Sequence, residues 1–161
     1  MAKKPRFIKP INNFKMRVGT GGIDEKLLDS AQNIIKENKI DFTRYATEYI
    51  QELEQLINQA SIDNATDRST IEKLIKPIMQ LKANGGMFKY YLISDIADIA
   101  LDFLEDITEI NEDVLRIINI HKQTLQVIII SKLTGDGGKE GLKLIKELNE
   151  ACTRYKNKYV E

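Results

Sequence analysis

From Ile23 onward the apolar residues of this 161-residue chain recur at intervals of three and four, the spacing of one face of an α-helix. No alternating stretch lasts long enough to read as a strand. Leu27, Leu28, Ala31, Ile34 and Ile35 form a first stripe behind Asp24 and Glu25, whose charges suit a helix N-terminus. A second, very regular stripe runs through Phe42, Tyr45, Ala46, Tyr49, Ile50, Leu53, Leu56, Ile57 and Ala60, with Asp41 placed to cap it. These two stripes are nearly in phase, so residues 38–41 read equally as a break or a bend. Residues 61–65 read as a loop. A third helix starts near Thr66 or Asp67 and buries Ile71, Leu74, Ile75, Ile78 and Leu81. Pro77 inside it predicts a kink, and Gly85-Gly86 a weakening or an end. A fourth, from about Tyr90 to Ile107, turns Ile93, Ile96, Ala97, Ala100, Leu101 and Leu104 inward. A fifth, roughly Asn111 to Leu133, does so with Val114, Ile118, His121, Leu125 and Ile128. After Gly135-Asp136-Gly137-Gly138 a sixth uses Leu142, Ile145, Leu148 and Cys152. Ile62, Phe103 and Ile107 are candidates for exposed apolar contacts. Long amphipathic helices on short loops pack antiparallel. The expected fold is all-α, an up-and-down four-helix bundle with additional N-terminal helices, spanning residues 23–161.

Residues 1–22 follow a different rule. Pro5, Pro10, Asn12, Asn13 and the run Gly19-Thr20-Gly21-Gly22 favour extended or turning backbone, so this segment reads as an arm. Its Phe7, Ile8, Ile11, Phe14, Met16 and Val18 are too many for a pure linker, which predicts that part of it lies against the body. Charge sharpens the division. The whole chain has 24 Lys+Arg and 24 Asp+Glu, yet the arm holds six bases and no acid. The remaining residues therefore carry 18 bases against 24 acids, and a neutral total is a +6 arm on a −6 body.

Composition removes several function classes. A lone cysteine, Cys152, excludes a disulfide framework and fits a reducing compartment. One His and one Cys make a multi-ligand zinc site of the usual kind a poor expectation. Val127 to Ile130 is the longest apolar run, far short of the ~20 residues of a membrane span, and the basic N-terminus lacks the apolar core of a secretory signal. The expectation is a soluble, cytoplasmic protein with a core large enough to need no staples. Gly135-Asp136-Gly137-Gly138 lacks the Lys-Ser/Thr of a phosphate loop and a preceding strand, so it reads as a turn between helices.

The stretch from Ile78 to Ala97, Ile-Met-Gln-Leu-Lys-Ala-Asn-Gly-Gly-Met-Phe-Lys-Tyr-Tyr-Leu-Ile-Ser-Asp-Ile-Ala, resembles the signature of histidine phosphotransfer domains. These are four-helix bundles that pass phosphoryl groups between response regulators. Their signature reads His-x-Leu-Lys-Gly, with a later Gly, an aromatic or apolar residue beyond it, and apolar positions on the next helix. Leu81 and Lys82 match the Leu-Lys pair, Ala83 replaces the small Gly, Gly86 is the later Gly, and Phe88, Ile93 and Ile96 fill the apolar positions. The match covers about twenty residues without a gap. His121 to Leu148 looks like the C-terminal half of stand-alone alphaproteobacterial members, and Gly21-Gly22-Ile23-Asp24 is loosely similar to their leader. The resemblance places the family's phosphoaccepting His on Met79, and Lys89 replaces a family Gly. A thioether has no nitrogen nucleophile to form a phosphoramidate. The chain is thus expected to be a phosphotransfer-like protein without a catalytic residue.

What the resemblance then implies is docking without relay, a protein that is not itself an enzyme. Lys76, Met79, Lys82, Ala83, Gly86 and Lys89 would form the face for a response-regulator receiver domain or a histidine kinase, the cations suiting an acidic acceptor pocket. Met79 also reads simply as a flexible residue filling an irregular gap beside Pro77. His121 lies on an inward stripe and is expected to be a packed, hydrogen-bonded core residue rather than a substitute acceptor. Cys152 is expected to be a buried, inert thiol. Between Tyr90 and Leu115 stand eight acids and no base, Asp95, Asp98, Asp102, Glu105, Asp106, Glu109, Glu112 and Asp113. Helical spacing makes them a solvated outer stripe with ordinary acidities, lacking the loop spacing of a calcium site. No cofactor or metal is called for, and neither nucleic acid nor membrane is favoured as a partner. The alternative is a scaffolding helical protein, with vestigial phosphotransfer ancestry, that binds its partner through the basic arm.

Overall fold

Helix starts in the computed structural model coincide with short polar side chains. The structure describes residues 24–30, 41–63 and 66–159, which contacts divide into two units, Met1–Ile40 and Asp41–Glu161. In the first, residues 25–30 are helical and the Asp24 carboxylate accepts from the Lys26 N–H at 3.0 Å, the N-terminal role its charge predicted. The arm, residues 1–22, and the rest of the first stripe, Ala31, Ile34 and Ile35, lie outside the described residues, as does the question of a break at 38–40. The boundary between arm and body expected after residue 22 lies outside the described residues.

The second unit holds five helices among the described residues, and all of its regular structure there is helical. Helix α1 (Phe42–Ile62) starts where Asp41 accepts from the Thr43 N–H at 3.0 Å. Helix α2 (Arg68–Met87) is capped by Asp67, which accepts from the Thr70 N–H at 2.9 Å. Helix α3 (Tyr91–Asp106) has no side-chain cap. Helix α4 (Glu112–Ile130) follows Asn111, whose side chain accepts from the Val114 N–H at 3.0 Å, and α5 is Gly138–Tyr159. Each such cap satisfies an otherwise orphaned donor and contributes about 1 kcal/mol.

Helices α1 to α4 close a ring, α1 on α2, α2 on α3, α3 on α4 and α4 on α1, while α5 packs outside against α3 and α4. Successive helices run in opposite senses. Arg68 at the start of α2 donates to the carbonyl of Ile107 just past α3, and Gly85 near the end of α2 meets Ile93 near the start of α3. The arrangement corrects one expectation. The N-terminal helix 42–62 is a member of the ring, and the helix outside it is the C-terminal one.

The core follows the helical stripes. Ile71, Leu74, Ile78 and Leu81 of α2 meet Ile93, Ile96, Ala97, Ala100 and Leu104 of α3, with Val114, Ile118, Leu125 and Ile128 from α4 and Ala46, Ile50, Leu53 and Ile57 from α1. Phe103 and Ile107 are buried rather than exposed contacts: Phe103 meets Tyr155 of α5 edge-on, with ring centroids 5.2 Å apart. Ile62 is exposed, as suggested. In α5, Leu148 and Cys152 are buried as expected and Ile145 packs half-buried against the core, whereas Leu142 is exposed and Gly141 and Tyr155 complete the buried side.

Gly85-Gly86 do not end α2, which continues through both to Met87. Their reason is packing. A Cβ on Gly85 would stand 3.2 Å from Ile93 Cγ2 and from the Tyr90 carbonyl oxygen, so the bare backbone lets α3 approach. The turn that follows has Lys89 at φ 64°, and its carbonyl accepts from the Gly135 N–H at 2.7 Å while the Leu92 N–H donates to the Gly135 carbonyl at 2.9 Å. The glycine turn between α4 and α5 is thereby tied to the α2–α3 turn. Within it Gly137, at φ 70°, lies so close to Leu92 that a Cβ would meet its Cδ2 at 2.7 Å.

Candidate docking face

The motif residues of α2 divide by helical position. Leu81 is fully buried, as are Ile93 and Ile96 across the α2–α3 contact, and Phe88 is half-buried against Phe42, stacked at 5.3 Å. Lys76, Met79, Lys82, Ala83 and Lys89 are exposed, and Gly86 is half-buried, where an added Cβ would stand 3.4 Å from Ser94 Oγ. Met79 is 53% exposed, so it does not fill a core gap beside Pro77. Pro77 itself is buried inside a helix that continues on both sides.

A shallow groove of about 300 Å³ runs between α2 and α3, lined by Met79, Lys82 and Ala83 on one side and Asp98, Leu101, Asp102 and Glu105 on the other. It brings together three of the six residues singled out from the sequence. Lys76 and Gly86 share the outer face of α2 but do not line the groove, and Lys89 lies beyond the helix end.

Electrostatics alter the expected picture of this face. The Lys82 ammonium donates to Asp98 Oδ1, and that bond, reinforced by the charges of Asp98, Asp102 and Glu105, raises its pKa above the ordinary lysine value. The backbone carbonyl of Lys82 accepts from Ser94 Oγ, which pins the two helices together beneath the groove. One cation among three carboxylates leaves the groove net acidic. The expected free cation at position 82 is therefore already paired within the protein.

The remaining chemistry-bearing side chains are enclosed. His121, 1% exposed, donates from Nδ1 to the carbonyl oxygen of Ile117 at 2.9 Å, which leaves Nε2 unprotonated and, among the described residues, without a partner. Burial holds the imidazole below its ordinary pKa of 6.5, opposed by that hydrogen bond. Cys152 is buried, and loss of solvation pushes its thiol up to about 11. Neither reaches a reactant in solvent. Next to His121, Lys122 is 5% exposed and its ammonium donates to Glu54 Oε1 of α1 at 2.9 Å. Nothing in the spacing singles out Lys122 except its place one residue from an inward His.

The acidic stripe is less uniform than its spacing suggests. Asp113 accepts from Tyr159 at 2.8 Å and from Lys158 at 3.3 Å, and these bonds hold its pKa below the usual carboxylate value. Asp106 pairs with Lys156 of α5. Among the described residues no group of three or more His, Cys, Asp or Glu side chains is placed to hold a metal ion, and no helix is long and apolar enough to cross a membrane. Comparison of the chain with protein-family models, with curated proteins and with solved structures finds no match.

Proposed function

We propose that this protein is a phosphotransfer-like docking protein that binds a receiver domain or a histidine kinase without accepting phosphate. The observation that carries the reading is the exposure of Met79 on the outer face of α2, at the position where the resemblance places the acceptor imidazole, while the only histidine is sealed in the core. Around it the motif's Leu81, Ile93 and Ile96 are buried and Phe88 half-buried, and Gly85 and Gly86 sit where α3 comes close. The acidic groove adds a condition: the partner's surface opposite Asp102 and Glu105 must carry cations, or the pair is held apart by like charge.

Purified receiver domains charged with labelled acetyl phosphate test the chemistry. The wild-type chain acquires no label, and Met79→His acquires it, because an exposed imidazole there can attack the receiver's aspartyl phosphate. Label on the wild-type protein overturns the reading.

A second reading is a helical scaffold that binds through its basic arm. The pairing of Lys82 with Asp98 favours it, since that pairing removes a free cation from the α2 face. Deletion of residues 1–22 separates the two: receiver binding persists under the first, whereas under the second recovery of the scaffold's partner is lost.

A further inference from the structure

The lysine of the Met79 groove is held at both its ends. Its backbone carbonyl accepts from Ser94 Oγ and its ammonium donates to Asp98 Oδ1, and residues 94 and 98 stand one turn apart on α3. Lys82 therefore crosses the groove from α2, and its cation is carried to the α3 side. Asp102 and Glu105, further along α3, line the same groove and add to the attraction. The other two lysines of the expected docking face are not held in this way. Among the described residues no carboxylate stands within ion-pair distance of Lys76 or Lys89.

The pair is open to water. Its two side chains are 45% and 49% exposed, which puts Lys82 and Asp98 among the surface pairs that solvation and side-chain entropy keep weak. Such a pair favours its closed state over its open one by about fivefold at most. The bond from Ser94 to the Lys82 backbone does not depend on it. The pair thus sets the fraction of molecules in which the ammonium is free.

We propose that Asp98 is a self-masking residue of the docking face, which occupies the Lys82 cation in the free protein and yields it to an anionic group on the partner. This rests on the docking function proposed for the Met79 face. The partner's anion and Asp98 compete for one ammonium, so the measured affinity is that of the open face reduced by the fraction of molecules that are open. Removing the competitor raises affinity by about two- to fivefold. Removing a neighbouring charge does not, because Asp102 stands opposite the partner's cations and its loss weakens docking.

The test is the fluorescence anisotropy of labelled receiver domains titrated with the full chain, Asp98→Ala, Asp102→Ala, Lys82→Met and the Lys82→Met/Asp98→Ala double variant, all checked for folding by circular dichroism. Asp98→Ala binds about two- to fivefold more tightly than the wild type, Asp102→Ala binds no more tightly, and the gain disappears in the Lys82→Met background. Asp98→Ala binding no better than the wild type overturns the proposal and leaves the docking function standing, as does an equal gain in Asp102→Ala or a gain that survives without Lys82. The ammonium itself gives a readout that needs no partner. By heteronuclear NMR, Lys82 titrates above the ordinary lysine value of 10.5 in the wild type and lower in Asp98→Ala. Identical titrations mean that there is no pair to release, which overturns the proposal alone. Should Lys82 shift as expected while none of the chains binds any receiver, the docking function falls and takes the proposal with it.

Discussion

Two adjacent residues of α4 show how differently the core treats polar groups. Lys122 brings a charge inside, and its 2.9 Å bond to Glu54 is the compensation. Removing the acid strands the ammonium, whereas removing the ammonium leaves a half-exposed carboxylate that water still solvates. Glu54→Ala is therefore expected to lower stability by about 1–3 kcal/mol. Lys122→Met, which keeps the stem and drops the charge, is expected to be neutral or stabilising; urea denaturation of both variants checks the asymmetry. His121 is instead held neutral. Its folded-state pKa lies below the unfolded value, so as pH falls below about 6.5 the unfolded chain takes up a proton that the folded chain refuses, and stability declines. The carboxylates of Asp41, Asp67 and Asp113, shifted down by their hydrogen bonds, add acid lability only in a lower window, as pH drops through the ordinary carboxylate value of 3.8 and below. Melting temperatures between pH 7 and 5 should fall for the wild type and fall less for His121→Leu. An equal slope in both would mean that the imidazole is not the group involved.

At the scale of elements, glycine contacts explain both a strength and a weakness of the sequence as a guide. Gly85 in mid-helix is unfavourable by propensity, and Gly85→Ala gains up to about 1 kcal/mol on that account. The new Cβ, however, would press on Ile93 and the Tyr90 carbonyl at 3.2 Å, and overpacking of this kind costs about 1–3 kcal/mol, so a net loss of stability is expected by thermal denaturation. The same glycine misleads when read locally, as the end of α2, because its role depends on α3 arriving beside it. Helix α1 was legible because an uninterrupted stripe coincides with an Asp41 cap, both local signals. The buried side of α5 was legible only in part: spacing placed Leu148 and Cys152, but Leu142 continues the spacing and is exposed, while Gly141 and Tyr155 are packed by Leu92 and Phe103 on a helix far away in sequence. For the candidate site, Met79, Lys82 and Ala83 were singled out by the motif resemblance, and the phase of α2 puts all three on its exposed side. The partner of Lys82 was not legible, because Asp98 becomes its neighbour only once α2 and α3 pack antiparallel. Lys122 was invisible for the same reason, its acid lying on α1.

The second unit presents separate outer grooves on one helical scaffold, an acidic one between α2 and α3 and others between α4 and α5. In the proposed account the first takes a signalling partner, while the imidazole of His121 and the thiol of Cys152 are kept in the core. An oppositely charged arm and body follow from the sequence, and the body's share of that charge includes the three carboxylates beside Met79. In that account docking at this groove depends on Ala83, a small, exposed residue where a long side chain would block the approach without disturbing the core. The most direct test is the fluorescence anisotropy of labelled receiver domains titrated with the full chain and with Ala83→Arg, folding of both being checked by circular dichroism. The account predicts saturable binding of at least one receiver by the wild type, weakened about tenfold or more in the variant. Binding by neither protein, or equal binding by both, would contradict it.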